Sequence, residues 1–107
     1  MNIKDLYNYP SICIPKVEKT IEKNDIFSVF QKYHFGKIKK IDLIQIGNFK
    51  KAFIHIFWDS KNDKAQKARN LLLNKSNFKI IYDYDYGWYW KCSASISQQN
   101  LPKFDQP

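Results

Sequence analysis

Phe53 and Tyr89, with Lys51 and Lys91 two residues from each, are the side chains of this 107-residue chain best suited to grip a ligand. Residues two apart share one side of an extended strand, so each ring has an ammonium group beside it. Rings stack on nucleobases and ammonium groups neutralise phosphates. His55, two residues beyond Phe53, brings a further ring to the same side. Lys37, Lys39, Lys40 and Lys50 extend the cationic track around the hairpin that carries Lys51. This pattern predicts binding of single-stranded RNA or DNA. Sequence specificity should be low, because Arg, which reads base edges bidentately, occurs only at Arg69 on a predicted helix.

Other chemistries lack their residues. His34 and His55 have no neighbouring metal ligands, so no metal site is expected. Zinc spacings, a Gly-rich phosphate loop, a nucleophile elbow and paired carboxylates are all missing. Pro15-Lys16-Val17-Glu18-Lys19 has no Arg with which to build the anion loop of an acylphosphatase. No catalytic residue and no cofactor is therefore expected, and the chain reads as a binding protein rather than an enzyme.

Composition sets the frame. Eighteen Lys and Arg against ten Asp and Glu give a net charge of +8, and 44% of residues are apolar or aromatic. That is enough for a core, and the length suits one domain. The charge is uneven: residues 1–80 hold 16 basic and seven acidic side chains, residues 81–107 two and three. Fourteen Ile, 17 Lys, nine Asn and seven Tyr indicate A- and T-rich coding, which itself inflates Lys. Apolar runs such as Leu71–Leu73 are too short for a membrane span. No apolar stretch follows Lys4, so no signal peptide is expected and the location should be intracellular.

The elements that must position these residues follow from periodicity. Residues 1–10 read as an arm ending at Pro10, with Leu6, Tyr7 and Tyr9 available to lie against the body. Ser11–Val17 predicts a strand. Ile26, Val29, Phe30 and Tyr33 form the apolar stripe of a helix, with Thr20 or Asn24 to cap its start and Gly36 its end. Lys37–Ile46 and Phe49–Trp58 form a hairpin about Gly47-Asn48. Ser60 and Asp63 suggest the capping box of a second helix, running to about Leu73 with Ala65, Ala68 and Leu72 toward the sheet. Phe78–Tyr82 and Trp88–Ser95 form a closing hairpin around Asp83–Gly87.

Alternation divides the faces. Ile12, Ile14, Ala52, Ile54, Ile56, Trp90, Cys92 and Ala94 should face helices. Cys13, Lys51, Phe53, His55, Phe57, Tyr89, Lys91 and Ser93 should face outward. Cys13 and Cys92 then lie on opposite faces and stay free thiols. The element order predicts an α+β, ferredoxin-like βαββαβ fold, a four-stranded antiparallel sheet with two helices on one face. The domain should span 11–96, leaving 97–107 as a flexible tail.

Over 11–95 the chain resembles the RNA recognition motif (RRM) family. Ile12-Cys13-Ile14-Pro15-Lys16-Val17 resembles its hexamer. Phe49-Lys50-Lys51-Ala52-Phe53-Ile54-His55-Ile56 is similar to its octamer. Trp88-Tyr89-Trp90-Lys91-Cys92-Ser93-Ala94-Ser95 is similar to the last strand of small RRM-type proteins of large DNA viruses. The resemblance implies RNA binding on the open sheet and, for a viral protein, a place in the cytoplasm, virus factory or nucleus of a host. Of the family's three stacking positions, Cys13, Lys51 and Phe53 here, only Phe53 is a ring. That departure implies a changed binding mode, or the alternative of a protein-interaction module that uses Tyr84 and Trp88. Leu101 and Phe104, in the tail, could dock as a lid over Phe53 and Tyr89 or belong to a mobile end.

Overall fold

A computed structural model describes residues 7–95. The elements are β1 (Ile12–Glu18), α1 (Lys23–Tyr33), β2 (Gly36–Ile46), β3 (Phe49–Trp58), α2 (Asp63–Leu73), β4 (Phe78–Asp83) and β5 (Trp88–Ala94). Among the described residues the sheet has five strands in the order β2-β3-β1-β5-β4, and each neighbouring pair is antiparallel. This corrects the expected four-stranded ferredoxin-like βαββαβ arrangement. The order is β-α-β-β-α-β-β, because both strands of the closing hairpin belong to the sheet and β4 forms an edge. Ile80 is the residue that draws β4 in, being buried opposite Trp90.

One apolar cluster holds the domain. Ile26 and Phe30 of α1 and Ala65, Ala68 and Leu72 of α2 meet the inward rows of the sheet. Those rows are Ile12, Ile14 and Val17 on β1, Ala52, Ile54, Ile56 and Trp58 on β3, and Trp90, Cys92 and Ala94 on β5. Both helices thus cover the same face. The two alanines let α2 lie close to the strands, since any larger side chain there would hold the backbones apart.

Local chemistry fixes the ends of the helices. Glu22 precedes α1, and its backbone N–H donates to Asp25 Oδ2 at 2.8 Å. His34, rather than Gly36, takes the left-handed conformation that ends α1, at φ 55°. Gly36 instead opens β2, where a Cβ would stand 2.0 Å from the Phe57 carbonyl oxygen. At α2 the cap is Asn62, whose Oδ1 accepts from Ala65 N–H at 3.0 Å, rather than Ser60.

Residues 7–10 are tied to the body. Trp58 donates its backbone N–H to Tyr7 O at 2.8 Å and its indole N–H to Pro10 O at 2.9 Å. Arg69 donates to Tyr9 O at 2.8 Å, and its guanidinium lies 5.1 Å from the Tyr7 ring centre. Leu6, Leu101 and Phe104 lie outside the described residues, as does the proposed lid. Among the described residues no helix is long and apolar enough to cross a membrane.

Candidate nucleic-acid interface

Burial of alternate residues on β3 fixes which side chains face away from the helices. Ala52, Ile54, Ile56 and Trp58 are buried, so Phe49, Lys51, Phe53, His55 and Phe57 point outward. On β5 the same argument places Tyr89, Lys91 and Ser93 outward, and on β4 Lys79 and Ile81. Phe53 sits mid-sheet, opposite Asp42 on β2 and Cys13 on β1, and Cys13 in turn faces Ser93 on β5. Phe53 and Tyr89 are two strands and four residues apart, about 16 Å by strand spacing and rise. That far exceeds the rise between stacked bases, about 3.4 Å, so the two rings suit separate nucleotides of one strand.

Each of three outward rings has a lysine over it. Lys16 Nζ is 4.2 Å from the Phe49 ring centre, Lys51 Nζ is 5.7 Å from that of Phe53, and Lys79 Nζ is 4.6 Å from that of Tyr89. The ring quadrupole attracts the ammonium group, and the contact is weak at the exposed Phe49 and Tyr89, about 0.5–1 kcal/mol, while Phe53 and Lys51 are half-buried. A base can therefore displace the lysine from the ring while the ammonium swings to the phosphate beside it. Phe49, Lys16 and Lys79 were not singled out from sequence. The period-2 pattern of β3 carried the signal for Phe49, and the pairing of β4 with β5 carries that for Lys79.

The remaining candidate lysines divide. Lys91 is exposed on the outward face, paired with Lys79 across the β4–β5 ladder. Lys50 turns to the helix side, where Nζ donates to Ile21 O at 2.8 Å and meets Glu22 Oε2 at 3.3 Å. It is therefore no part of the outward track. A bulge between Ile38 and Lys40 makes Lys39 the extra residue, and Lys39 Nζ donates to Asn8 Oδ1 at 2.7 Å. Lys37 is exposed opposite Phe57, and Lys40 pairs with Asp42 at 3.4 Å.

His55 is held between two partners that sequence reasoning missed. Its Nδ1 lies 2.8 Å from Ser11 Oγ and its Nε2 2.9 Å from Asp42 Oδ2. The hydrogen bond from His55, and then Lys40, holds the Asp42 carboxyl below the usual carboxylate range. The three residues make a Ser–His–Asp chain, but Ser11 is 1% exposed, so its hydroxyl is not presented to a substrate. The chain orients the imidazole at a depression of about 400 Å³ lined by Lys23, Asp42, Leu43, Ile44, Phe53 and His55. Asp42 had a signal, as the one acid in a lysine-rich strand; Ser11 had none.

Cys13 faces outward as expected but is buried, packed between Phe53 and Ser93, so it offers no contact surface. Burial pushes its thiol up, and that of Cys92 further, and both are free. Among the described residues no group of His, Cys, Asp and Glu could hold a metal ion. At the far end of the sheet Tyr84, Tyr86 and Trp88 are exposed, Trp88 stacked on Tyr86 at 5.1 Å. Tyr84 Oη meets Tyr33 Oη at 3.2 Å. No protein-family model, curated protein or solved structure matches the chain.

Proposed function

We propose that the protein binds single-stranded RNA across the sheet face turned away from the helices, with low sequence specificity. The observation that carries this reading is the set of three ring–lysine pairs, Phe49/Lys16, Phe53/Lys51 and Tyr89/Lys79, spread over β3, β1, β5 and β4. Rings supply sequence-tolerant stacking, and lysines at their edges supply phosphate contacts. The net charge of +8 adds attraction at a distance. The likeness of β1 and β3 to the RRM hexamer and octamer favours RNA over DNA as the ligand.

The protein acts here as a platform and no bond is made or broken. His55, with both ring nitrogens engaged by Ser11 and Asp42, holds a fixed ring beside Phe53. The test is fluorescence anisotropy with a labelled single-stranded RNA of mixed sequence, titrated at several salt concentrations. Affinity should fall with log salt at a slope of about −0.7 per phosphate neutralised. Single-stranded DNA and duplex RNA serve as competitors. Salt-independent binding, or duplex RNA competing as well as single strands, would remove this reading.

A further inference from the structure

The tip of the β4–β5 hairpin has a different chemistry from the rest of the surface. Glu18, at the end of β1, is an exposed carboxylate held by two aromatic donors. Tyr82 Oη–H donates to Oε2 at 2.7 Å, and Trp90 Nε1–H lies 3.4 Å from Oε1. Beside it opens a depression of about 360 Å³ lined by Glu18, Tyr82, Gly87, Trp88 and Tyr89. Its rings are braced from behind. Tyr82 stacks on Trp90 at 4.4 Å, and Trp88 on Tyr86. At Gly87 a Cβ would meet nothing within 4 Å, so the rim there is open. Asp83 adds charge nearby, since it acts on the Tyr82 phenol together with Glu18.

Fixed ring faces beside a fixed carboxylate select a cation and repel an anion. A phosphate entering here would meet Glu18, so this is no continuation of the nucleic-acid face. The hairpin around it sharpens the contrast, because residues 81–90 hold Asp83 and Asp85 and neither Lys nor Arg, in a chain of net charge +8. Lys79 already takes one face of Tyr89, which leaves Trp88 and Glu18 to receive the ligand. We propose that this depression binds an arginine or lysine side chain of a basic peptide segment in a partner protein. The cation lies against the Trp88 ring and pairs with Glu18, while Tyr82 and Trp90 keep the carboxylate aimed.

The probe is the blocked tripeptide Gly-Arg-Gly, with Gly-Gln-Gly as the uncharged control, titrated into the isotopically labelled full chain and followed by NMR. The Arg peptide should give saturable shifts at the Trp88 indole N–H and the Gly87 amide, and the control none. Glu18→Gln should weaken binding about tenfold, the scale of one charge-assisted contact. Because that change also touches Tyr82 and Trp90, Trp88→Ala is the second variant. It removes an exposed wall and should abolish the shift at Gly87. Equal shifts with both peptides, or shifts confined to Phe53 and Lys51, would overturn the proposal. So would dimer formation without peptide that Trp88→Ala abolishes, since the pocket would then belong to a second copy. Neither variant removes a ring–lysine pair of the RNA face, so the salt slope of RNA binding should be unchanged in both, and the two readings can fail separately.

Discussion

In the β3–β1 half of the sheet, outward rings carry lysines; at the hairpin tip, rings stack on one another and donate to a carboxylate. Phe49 and Phe53 have Lys16 and Lys51 over them, whereas Tyr82 and Trp90 stack together and both turn to Glu18. Aromatic content alone therefore does not specify a ligand. A ring paired with an exposed cation is poised for a base and its phosphate. A ring paired with a fixed carboxylate is poised for a positive group. Tyr89 stands at the border, facing Lys79 on one side and lining the Glu18 depression on the other.

Buried and exposed rings within the hairpin itself should differ most in stability. Trp90 is 2% exposed and Trp88 54%. Trp90→Ala should cost about 3–5 kcal/mol of stability, because it removes an indole from the core and the Tyr82 stack with it. Trp88→Ala should stay within about 0.5 kcal/mol. Urea denaturation of the two variants measures this. A large loss in Trp88→Ala would mean that the tip is structural, and the contrast between the two regions would collapse.

Next come the stacking rings of the open face. Phe53→Ala and Tyr89→Ala should each weaken single-stranded RNA binding about tenfold, within the range of about 1–3 kcal/mol per stacked base. Phe49→Ala should do the same if the three ring–lysine pairs act alike. Anisotropy titrations at one fixed salt concentration compare them. Unchanged affinity in all three variants would take the sheet face out of consideration.

How far the sequence revealed these surfaces depends on where the strands are regular. Along β3 the alternation is unbroken, so Phe53, Lys51 and the buried row Ala52, Ile54 and Ile56 were legible. Trp90, Cys92 and Ala94 were legible on β5 for the same reason. Bulges broke the reading elsewhere. Between Ile38 and Lys40 a shift in register makes Lys39 an extra residue, and between Ile14 and Val17 another turns Lys16 to Phe49. Lys50 and Lys51 look alike in a lysine-rich run, yet period 2 sends them to opposite faces. The closing hairpin of β4 and β5 was legible, but the ferredoxin-like order counted it as one strand, and burial of Ile80 opposite Trp90 makes β4 a strand of the sheet in its own right. The Ser11–His55–Asp42 chain joins residues 44 and 13 positions apart, which no local pattern encodes.

The hairpin tip should also respond to alkaline pH. The Tyr82 phenol is pushed up to about 12, first by burial and then by its hydrogen bond to Glu18. Its unfolded value is about 10. The folded state thus holds the proton more tightly, so this contribution to stability is full below about pH 10 and is lost as pH rises through about 12. Urea midpoints measured from pH 9 to 12 should fall over that window. Tyr82→Phe has no phenol to titrate, so its midpoint should fall less. Parallel profiles for the two proteins would mean that titration of the Tyr82 phenol does not govern stability in this window.

The smallest effect is a difference between neighbours. Lys51 stands over Phe53 on the outward face, while Lys50 Nζ is bound to Ile21 O and Glu22 on the helix side. Their charges are equal and one residue apart, so a long-range field would feel both alike. A contact with phosphate would not. Lys51→Gln should reduce the salt slope of RNA binding by about 0.7, one phosphate's worth on a single strand, and Lys50→Gln should leave the slope unchanged. The slope is the right observable because each variant lowers the net charge by one, which shifts affinity at a given salt concentration in both. Equal slopes in the two variants would mean that RNA is drawn by overall charge rather than gripped on this face. The ring–lysine pairs would then be packing features of a basic surface.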